Sequence, residues 1–138
     1  MLAWASARVD FHTPFPKGTR AIGVARETGE IIGVVAFHSW NPWNGTMEVS
    51  AIASDPRWTL AREAWAQMFD YVFRVCDCQK VWSQTPARNA RALRFLRAVG
   101  FHREAILPRQ FGDDDAVISS RFREEYYGQQ SARRASAA

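Results

Sequence analysis

The stretch ARNARALRFLRAVGFHREAI, residues 87–106, decides how this 138-residue chain is expected to fold. Asn89 is a favoured residue type at a helix N-cap, and Gly100 suits the left-handed position just past a helix end. Between them the apolar residues recur at helical spacing on one stripe: Ala92, Leu93, Phe95, Leu96 and Val99. The spacing predicts a helix over 89–99 between two strands. The arginines of this helix have two interpretations: they form the solvated face of a packing helix, or they belong to one wall of a cofactor site.

Outward from this stretch, strand patterns and helix patterns follow each other along the chain. Upstream we predict a short helix over 2–9, two strands over 20–40, a strand over 47–54, an amphipathic helix with apolar residues from Leu60 to Phe73, and a strand over 80–85. Downstream we predict strands over 101–111 and 116–127. This order predicts an α/β (α+β) single domain with a mixed sheet over residues 1–127. The small, polar residues 128–138 are expected to form a disordered tail.

Composition narrows the class of protein. There are 18 Lys and Arg residues against 14 Asp and Glu residues, which gives a net charge of +4. Almost all the basic residues are arginines, and this excess of positive charge suits an anionic ligand.

No apolar run approaches the length of a membrane span, and no secretory leader is recognisable, so we expect a cytoplasmic protein that does not span a membrane. A basic RNA-associated protein is a weaker alternative, and nucleic acid is not expected as a partner. Asp113–Asp115 lacks the offsets of a calcium loop and is interpreted as a charged turn, so no metal site is expected.

The element order and the residues of the second helix together resemble the GCN5-related N-acetyltransferase (GNAT) family. Asn89, Ala92, Gly100 and Phe101 match the family pattern N-x-x-A-x-x-x-Y-x-x-x-G-F, and the resemblance covers roughly residues 20–127. It implies the acyl-CoA N-acyltransferase fold: a mixed, mostly antiparallel sheet, flanked by helices, in which two parallel strands splay apart. Those strands are expected at 47–54 and 80–85. The family often has another strand and helix before residue 20, so the fold is expected to be truncated at its N-terminus.

The resemblance implies acetyl-coenzyme A as co-substrate, lying between the two splayed strands. Its pantetheine arm is then expected on the backbone of Ile52, Ala53 and Ser54. Its pyrophosphate is expected at the N-terminus of the long helix, where free N–H groups and the helix dipole favour anions. Asn89 is expected to meet it from the second helix. The positions that match the phosphate site are Arg57, Trp58, Thr59, Leu60, Ala61 and Arg62.

Two departures from the family pattern support an alternative function. The family's phosphate loop is usually Q/R-x-x-G-x-G/A, whereas this chain has no glycine between Gly45 and Gly100 and carries Trp58 where a small residue is expected. The helix tyrosine that usually protonates the leaving thiolate is replaced by Leu96. The alternative is therefore a catalytically degenerate member that acts as a binding or inhibitory module on a protein partner.

Two residues are candidates for the chemistry of transfer. Glu48 roughly matches the family's strand glutamate and is the candidate general base, because an amine must lose a proton before it attacks a thioester. The competing interpretation of Glu48 is an ordinary solvent-facing strand residue. Ser83, on the second splayed strand, is a weaker candidate for protonating the thiol.

Three residues are candidates for binding the acceptor. His38 lies at the end of a strand, and the competing interpretation is a hydrogen-bonded core histidine. Trp40 and Trp43 belong to the loop WNPWNG, residues 40–45. They either form the edge of an acceptor-binding site or pack into the core.

The resulting hypothesis is an N-acetyltransferase that moves an acetyl group from acetyl-coenzyme A to a primary amine by direct transfer in a ternary complex. The acceptor is a small-molecule or protein amine that the sequence does not identify. Since the N-terminal side of the family fold usually shapes the acceptor pocket, a homodimer in which the partner completes that pocket is the expected assembly.

Overall fold

Six strands form one mixed sheet in the computed structural model, which describes residues 1–8, 15–54 and 62–137, the last range without the side chain of Arg62. The strands are β1 Arg20–Ala25, β2 Ile31–Asn41, β3 Thr46–Ala53, β4 Lys80–Pro86, β5 His102–Leu107 and β6 Ala116–Phe122. The helices are α1 Leu2–Ser6, α2 Arg62–Asp70, α3 Ala90–Ala98 and α4 Arg123–Ala137, and α2 continues into a π-helical turn, Tyr71–Val75.

The sheet order β1-β2-β3-β4-β6-β5 contains one parallel pair, β3 and β4. All the other neighbours pair antiparallel. The helix α2 connects β3 to β4, as a crossover between parallel strands requires. The prediction of a mixed, mostly antiparallel sheet with one parallel pair is therefore confirmed.

The main core lies between one face of this sheet and the helices. Met47, Val49 and Val81 face it from the parallel pair, and α2 and the π-helical turn contribute Trp65, Met68, Phe69, Val72 and Phe73. A smaller apolar cluster, Ala5, Val34 and Ile52, lies on the opposite face, where α1 contacts β2. Each strand therefore presents alternate residues to two different environments, which is what the period-two side-chain alternation dictates.

The C-terminal segment differs from its prediction. Residues 123–127 are helical rather than a continuation of the strand, and 128–137 extend the same helix instead of forming a disordered tail. The Glu125 carboxylate accepts the Phe122 N–H at 3.0 Å, and two acids occupy the first turn of α4, where the helix dipole favours negative charge. Tyr126 is buried against Phe69 and Phe73 and anchors the helix to the core.

A tertiary contact explains why residue 100 is a glycine. Gly100 has φ +101°, and a Cβ on it would lie 2.7 Å from Cζ of Arg121. That guanidinium is buried, lies 4.4 Å above the Phe69 ring centroid and donates to the Val99 carbonyl oxygen at 3.0 Å. Gly100 therefore both ends α3 and leaves room for a buried cation.

Among the helices of the described residues, none is long and apolar enough to cross a membrane.

Candidate active site

The parallel strands β3 and β4 stop pairing partway along their length, and we call the gap between their further residues the cleft. The two strands pair only at Thr46–Lys80, Met47–Val81 and Glu48–Trp82 in the part of the chain that the structure describes, although each strand continues for several residues beyond. The Ser54 N–H bonds to the Ile32 carbonyl oxygen at 3.0 Å on the β2 side. Because successive strand residues direct their N–H and C=O groups to opposite sides, those of Ala51 and Ala53 point into the cleft. The cleft edge therefore offers backbone donors and acceptors to a ligand.

Beside the point where the strands part, four polar side chains form a cluster on the face opposite α2 and α3. His38 and Glu48 are direct cross-strand partners, and Nδ1 of His38 lies 3.5 Å from Oε2 of Glu48. Nε2 of His38 lies 2.9 Å from Oγ of Ser50. Gln84 Nε2 donates to Oε1 of Glu48 at 3.1 Å across the cleft. We call these residues, His38, Glu48, Ser50 and Gln84, the sheet-face cluster.

The two titratable members of the sheet-face cluster are well shielded from water. The side chains of His38 and Glu48 are 8% and 12% exposed. Glu48 is therefore not the solvent-facing strand residue of the competing interpretation. Burial lowers the pKa of His38 below its ordinary value of 6.5, although the Glu48 carboxylate acts in the opposite direction. His38 is accordingly neutral near pH 7 and able to accept a proton.

The lowered pKa of His38 makes stability depend on pH. Below the ordinary pKa of 6.5, an unfolded chain binds a proton at this histidine that the folded chain resists, so we expect stability to be lost as the pH falls through that window. Urea denaturation at about pH 7.5 and about pH 5.5 should show a smaller loss in His38→Gln than in the unmodified protein. His102→Gln, a change at a more exposed histidine, is the control, and an equal loss in all three proteins would contradict the assignment.

Ser83 does not belong to the sheet-face cluster. Register places Ser83 opposite Ser119, and alternation along β4 directs its buried side chain to the same face as Val81, away from Gln84. Leu96, which stands where the family has its tyrosine, is also buried on that helix-covered face. Glu48 and Ser83 therefore approach the cleft from opposite faces of the sheet.

The predicted cofactor-binding residues are only partly described. Ile52 is buried, whereas Ala53 and Ser54 are exposed at the end of β3. Arg57, Trp58, Thr59, Leu60 and Ala61 lie outside the described residues, and Arg62 begins α2 without a described side chain. Their roles stay predictions.

Asn89 is the N-cap of α3. Its Oδ1 accepts the Ala92 N–H at 3.1 Å, as the sequence predicts for a capping asparagine. The predicted contact of Asn89 with acetyl-coenzyme A stays a prediction.

Trp40 lies near the end of β2, and Trp43 lies in the β2–β3 connection. Trp43 is 95% exposed and Trp40 is 54% exposed, so neither plugs the core. The neighbouring residues Asn44 and Gly45 bond to Gln79, just before β4 begins. Of the three predicted acceptor residues, only His38 lies in the sheet-face cluster, and acceptor binding by the two tryptophans stays a prediction.

The arginines of α3 are exposed rather than directed into the cleft. Arg94 and Arg97 line a cavity of about 450 Å³ between α3, β5 and β6, together with Arg103 and the buried Phe101. None of the residues that line this cavity belongs to the sheet-face cluster. In the sheet, β4 separates β3, which carries Glu48 and Ser50, from β6, which lines the cavity.

Ser50 and Gln84 are the members of the sheet-face cluster that sequence reasoning missed. The available signal was the hairpin register. His38 pairs with Glu48, and the alternation of side chains along β3 places Ser50 on the same face as Glu48. Trp82 pairs with Glu48 in the parallel strand, and the alternation along β4 places Gln84, two residues later, on that face as well.

Residues 3–102 match the model of the family described as acetyltransferase (GNAT) domain, which is more than two thirds of the chain. This chain belongs to the GNAT acetyltransferase family, as the resemblance predicts.

Individual relatives are distant. An N-acetyltransferase of Bacillus licheniformis called p20, described as uncharacterized, is 24% identical over 86 residues, which cover 61% of this chain and 48% of the relative. The chain thus spans about half the length of the curated relative that it matches.

Solved structures share the fold at low identity. Spermidine N-acetyltransferase from Vibrio cholerae, in a dodecameric structure of an intermediate state, has a TM-score of 0.70 and 20% identity over 80% of this chain and 68% of that chain. The spermidine/spermine N-acetyltransferase SpeG from Vibrio cholerae, in complex with manganese ions, has a TM-score of 0.71 and 19% identity over 82% of this chain and 70% of that chain. These similarities confirm the predicted fold class.

Proposed function

We propose that this chain is an N-acetyltransferase that moves the acetyl group of acetyl-coenzyme A to a primary amine by direct transfer in a ternary complex. The observation that carries the proposal is the open edge of β3 beside a shielded carboxylate, Glu48, and a neutral imidazole, His38. Membership of the GNAT family supports the reaction class.

The cleft suits acetyl-coenzyme A because, among the described residues, β3 has no strand partner on its β4 side beyond Glu48. We assign the Ala51 C=O group and the N–H and C=O groups of Ala53 to the amides of a pantetheine arm, as a neighbouring strand would bond them. Bound there, the cofactor supplies a thioester carbonyl as the electrophile. The phosphate end is assigned to the N-terminus of α2, because a helix N-terminus favours anions. Arg57 and Arg62, at sequence positions that match the family's phosphate site, are assigned to charge-assisted contacts with it.

Proton removal from the amine is assigned to Glu48. Amines are mostly protonated near pH 7, so transfer needs a base within reach of the nucleophile, directly or through one water. The Gln84 amide holds one oxygen of the Glu48 carboxylate, and the His38 ring lies near the other, so its orientation is set by two partners. On the opposite face of the sheet, Ser83 is assigned to the leaving thiolate.

The acceptor that we would test first is a polyamine. The similar solved structures from Vibrio cholerae are named for spermidine or spermine acetylation. Such an acceptor is compatible with the carboxylate at position 48, because a protonated amine is attracted to it before it gives up its proton. Other primary amines, including those of proteins, belong in the same panel.

Calorimetric titration with acetyl-coenzyme A tests the cofactor assignment. We expect micromolar binding by the unmodified protein and at least about a tenfold loss of affinity in Arg57→Ala/Arg62→Ala, because two phosphate contacts are removed. Arg91→Ala, an exposed change on α3, is the matched control and should bind as the unmodified protein does. No binding at millimolar cofactor would refute the proposal and favour the alternative, a binding or inhibitory module without the glycine-rich loop.

A homodimer remains the proposed assembly. The edge strand β5 is exposed along its whole length and ends in Ile106 and Leu107, which are 50% and 39% exposed. One of the similar solved structures is named as dodecameric, so self-association has a precedent on this fold.

A further inference from the structure

Three members of the sheet-face cluster have the arrangement of a serine-histidine-carboxylate triad. Oγ of Ser50 lies 2.9 Å from Nε2 of His38, and Nδ1 of the same ring lies 3.5 Å from Oε2 of Glu48. The serine and the carboxylate therefore contact different nitrogens of one imidazole. That is the order of contacts by which a histidine activates a hydroxyl nucleophile.

Two groups lie near Nδ1 of His38, the Glu48 carboxylate at 3.5 Å and the Ser39 hydroxyl at 3.4 Å. An ionised carboxylate only accepts hydrogen bonds, so the His38 tautomer that it favours has the proton on Nδ1. Nε2 then presents its lone pair to the Ser50 hydroxyl, which donates to it. The ring is buried and neutral near pH 7, so it is in the state in which it can take that proton.

The Ser50 hydroxyl also lies beside the cleft, where an acyl donor would bind. Ser50 is two residues beyond Glu48, at the first point along β3 where the partner strand has moved away, and it is only half-buried. The N–H of the next residue, Ala51, points into the cleft on the side facing β4. A backbone N–H directly after a nucleophile is a common donor to the oxyanion of an acyl-transfer intermediate.

We propose that Ser50 is a nucleophile activated by His38 and Glu48, and that it gives the chain a second activity, the hydrolysis of activated acetyl esters and thioesters through an acetyl-serine. The natural acyl donor in this reaction rests on the proposed function, since it is the thioester that the cleft is assigned to hold. The activity of the triad on a simple ester is independent of the proposed function.

The reaction balances without a further reagent. Oγ of Ser50 attacks the acyl carbon while its proton passes to Nε2 of His38, and the C–S or C–O bond of the donor breaks. The leaving thiolate or alkoxide takes that proton from Nε2. Water then attacks the acetyl-serine and gives one proton to Nε2 of His38. The serine oxygen takes that proton back as it leaves, and the released acetic acid ionises to acetate in solution.

The test uses p-nitrophenyl acetate, a small activated ester that needs no coenzyme A site. We expect release of p-nitrophenolate with an initial burst, and mass spectrometry of the quenched protein should place one acetyl group on the peptide that contains Ser50. Ser50→Ala should remove the acetyl group and lower the rate by at least about tenfold, and His38→Gln should slow both steps.

Two further variants separate chemistry from folding. Ser136→Ala removes an exposed hydroxyl on α4 that donates to the Ala132 carbonyl oxygen, outside every proposed site, and it should leave the rate unchanged. Ser50→Cys keeps a nucleophile at the position and should still acquire one acetyl group, now on sulfur. Absence of acetylation at position 50 in both the unmodified protein and Ser50→Cys would overturn the inference, as would equal rates in the unmodified protein and Ser50→Ala.

The two proposals fail separately. Binding of acetyl-coenzyme A without any acetyl-serine would overturn the triad and leave the amine acetyltransferase standing. Acetylation of Ser50 by the ester in a protein that binds no acetyl-coenzyme A would support the triad as an esterase site and refute the proposed function.

Discussion

Replacing Glu48 by glutamine should lower kcat/KM for amine acetylation about a hundredfold near neutral pH, because it removes the carboxylate that we propose as the base for the amine. The glutamine side chain has nearly the same shape, so it should keep its place between His38 and Gln84 and leave the cleft intact. Calorimetry should therefore give an unchanged affinity for acetyl-coenzyme A, which separates a loss of chemistry from a loss of binding.

The pH profile distinguishes a base from a merely structural residue. As the pH rises toward about 10, the amine loses its proton to solvent without help, so the rate of Glu48→Gln should approach that of the unmodified protein. Glu30→Gln, at an exposed carboxylate in the β1–β2 turn, is the control and should behave as the unmodified protein at every pH. A rate deficit in Glu48→Gln that is constant with pH would contradict the assignment of Glu48 as base.

Replacing Gly100 by alanine should destabilise the protein by about 3 kcal/mol. A non-glycine residue at φ +101° costs about 1–2 kcal/mol of backbone strain. The new Cβ would also lie 2.7 Å from Cζ of Arg121, and overpacking of this kind costs about 1–3 kcal/mol. The guanidinium cannot move away cheaply, because it is buried over the Phe69 ring and bonded to the Val99 carbonyl oxygen.

Gly112→Ala provides a matched control for the stability measurement. Gly112 also has a positive φ, +73°, but no atom of the described residues, apart from its two chain neighbours, lies within 4 Å of the Cβ that alanine would add. Its cost should therefore be the backbone strain alone, about 1–2 kcal/mol in a urea denaturation series. Equal losses in the two alanine variants would mean that the contact with Arg121 contributes nothing, and the account of Gly100 would be wrong.

Local signals explain why much of the fold could be predicted. Asn89 caps α3 and Gly100 ends it, because capping and left-handed geometry depend on a few neighbouring residues. The helix that links β3 to β4 follows from a 3.6-residue apolar period over Leu60 to Phe73, and a helix between two strands favours a parallel pair. Local sequence signals therefore predict the order of the elements from α1 to β6 without any knowledge of tertiary contacts.

The C-terminal helix shows where local signals were misleading. Residues 116–127 carry enough β-branched and aromatic side chains to resemble one long strand. The chain turns into α4 after Phe122 because Glu125 caps its first turn and Tyr126 finds a buried site against Phe69 and Phe73. The second of these contacts joins residues more than fifty positions apart, and no window of sequence contains both partners.

The same distinction applies to the candidate site. Glu48 and His38 could be selected singly, one by its match to a family position and one as a polar residue on an apolar strand. Their contact, and the presence of Ser50 and Gln84 beside them, depends on the β2–β3 register and on the place where β3 and β4 stop pairing.

Short-range periodicity and the chemistry of single side chains specify the class of the fold, the caps of α3 and the residue types at the candidate site. The tertiary structure alone decided that Glu48 is shielded, that His38 lies between a carboxylate and a hydroxyl, and that Gly100 makes room for Arg121. The physical reason is that burial and strand register arise from long-range contacts, and these set protonation, orientation and free space.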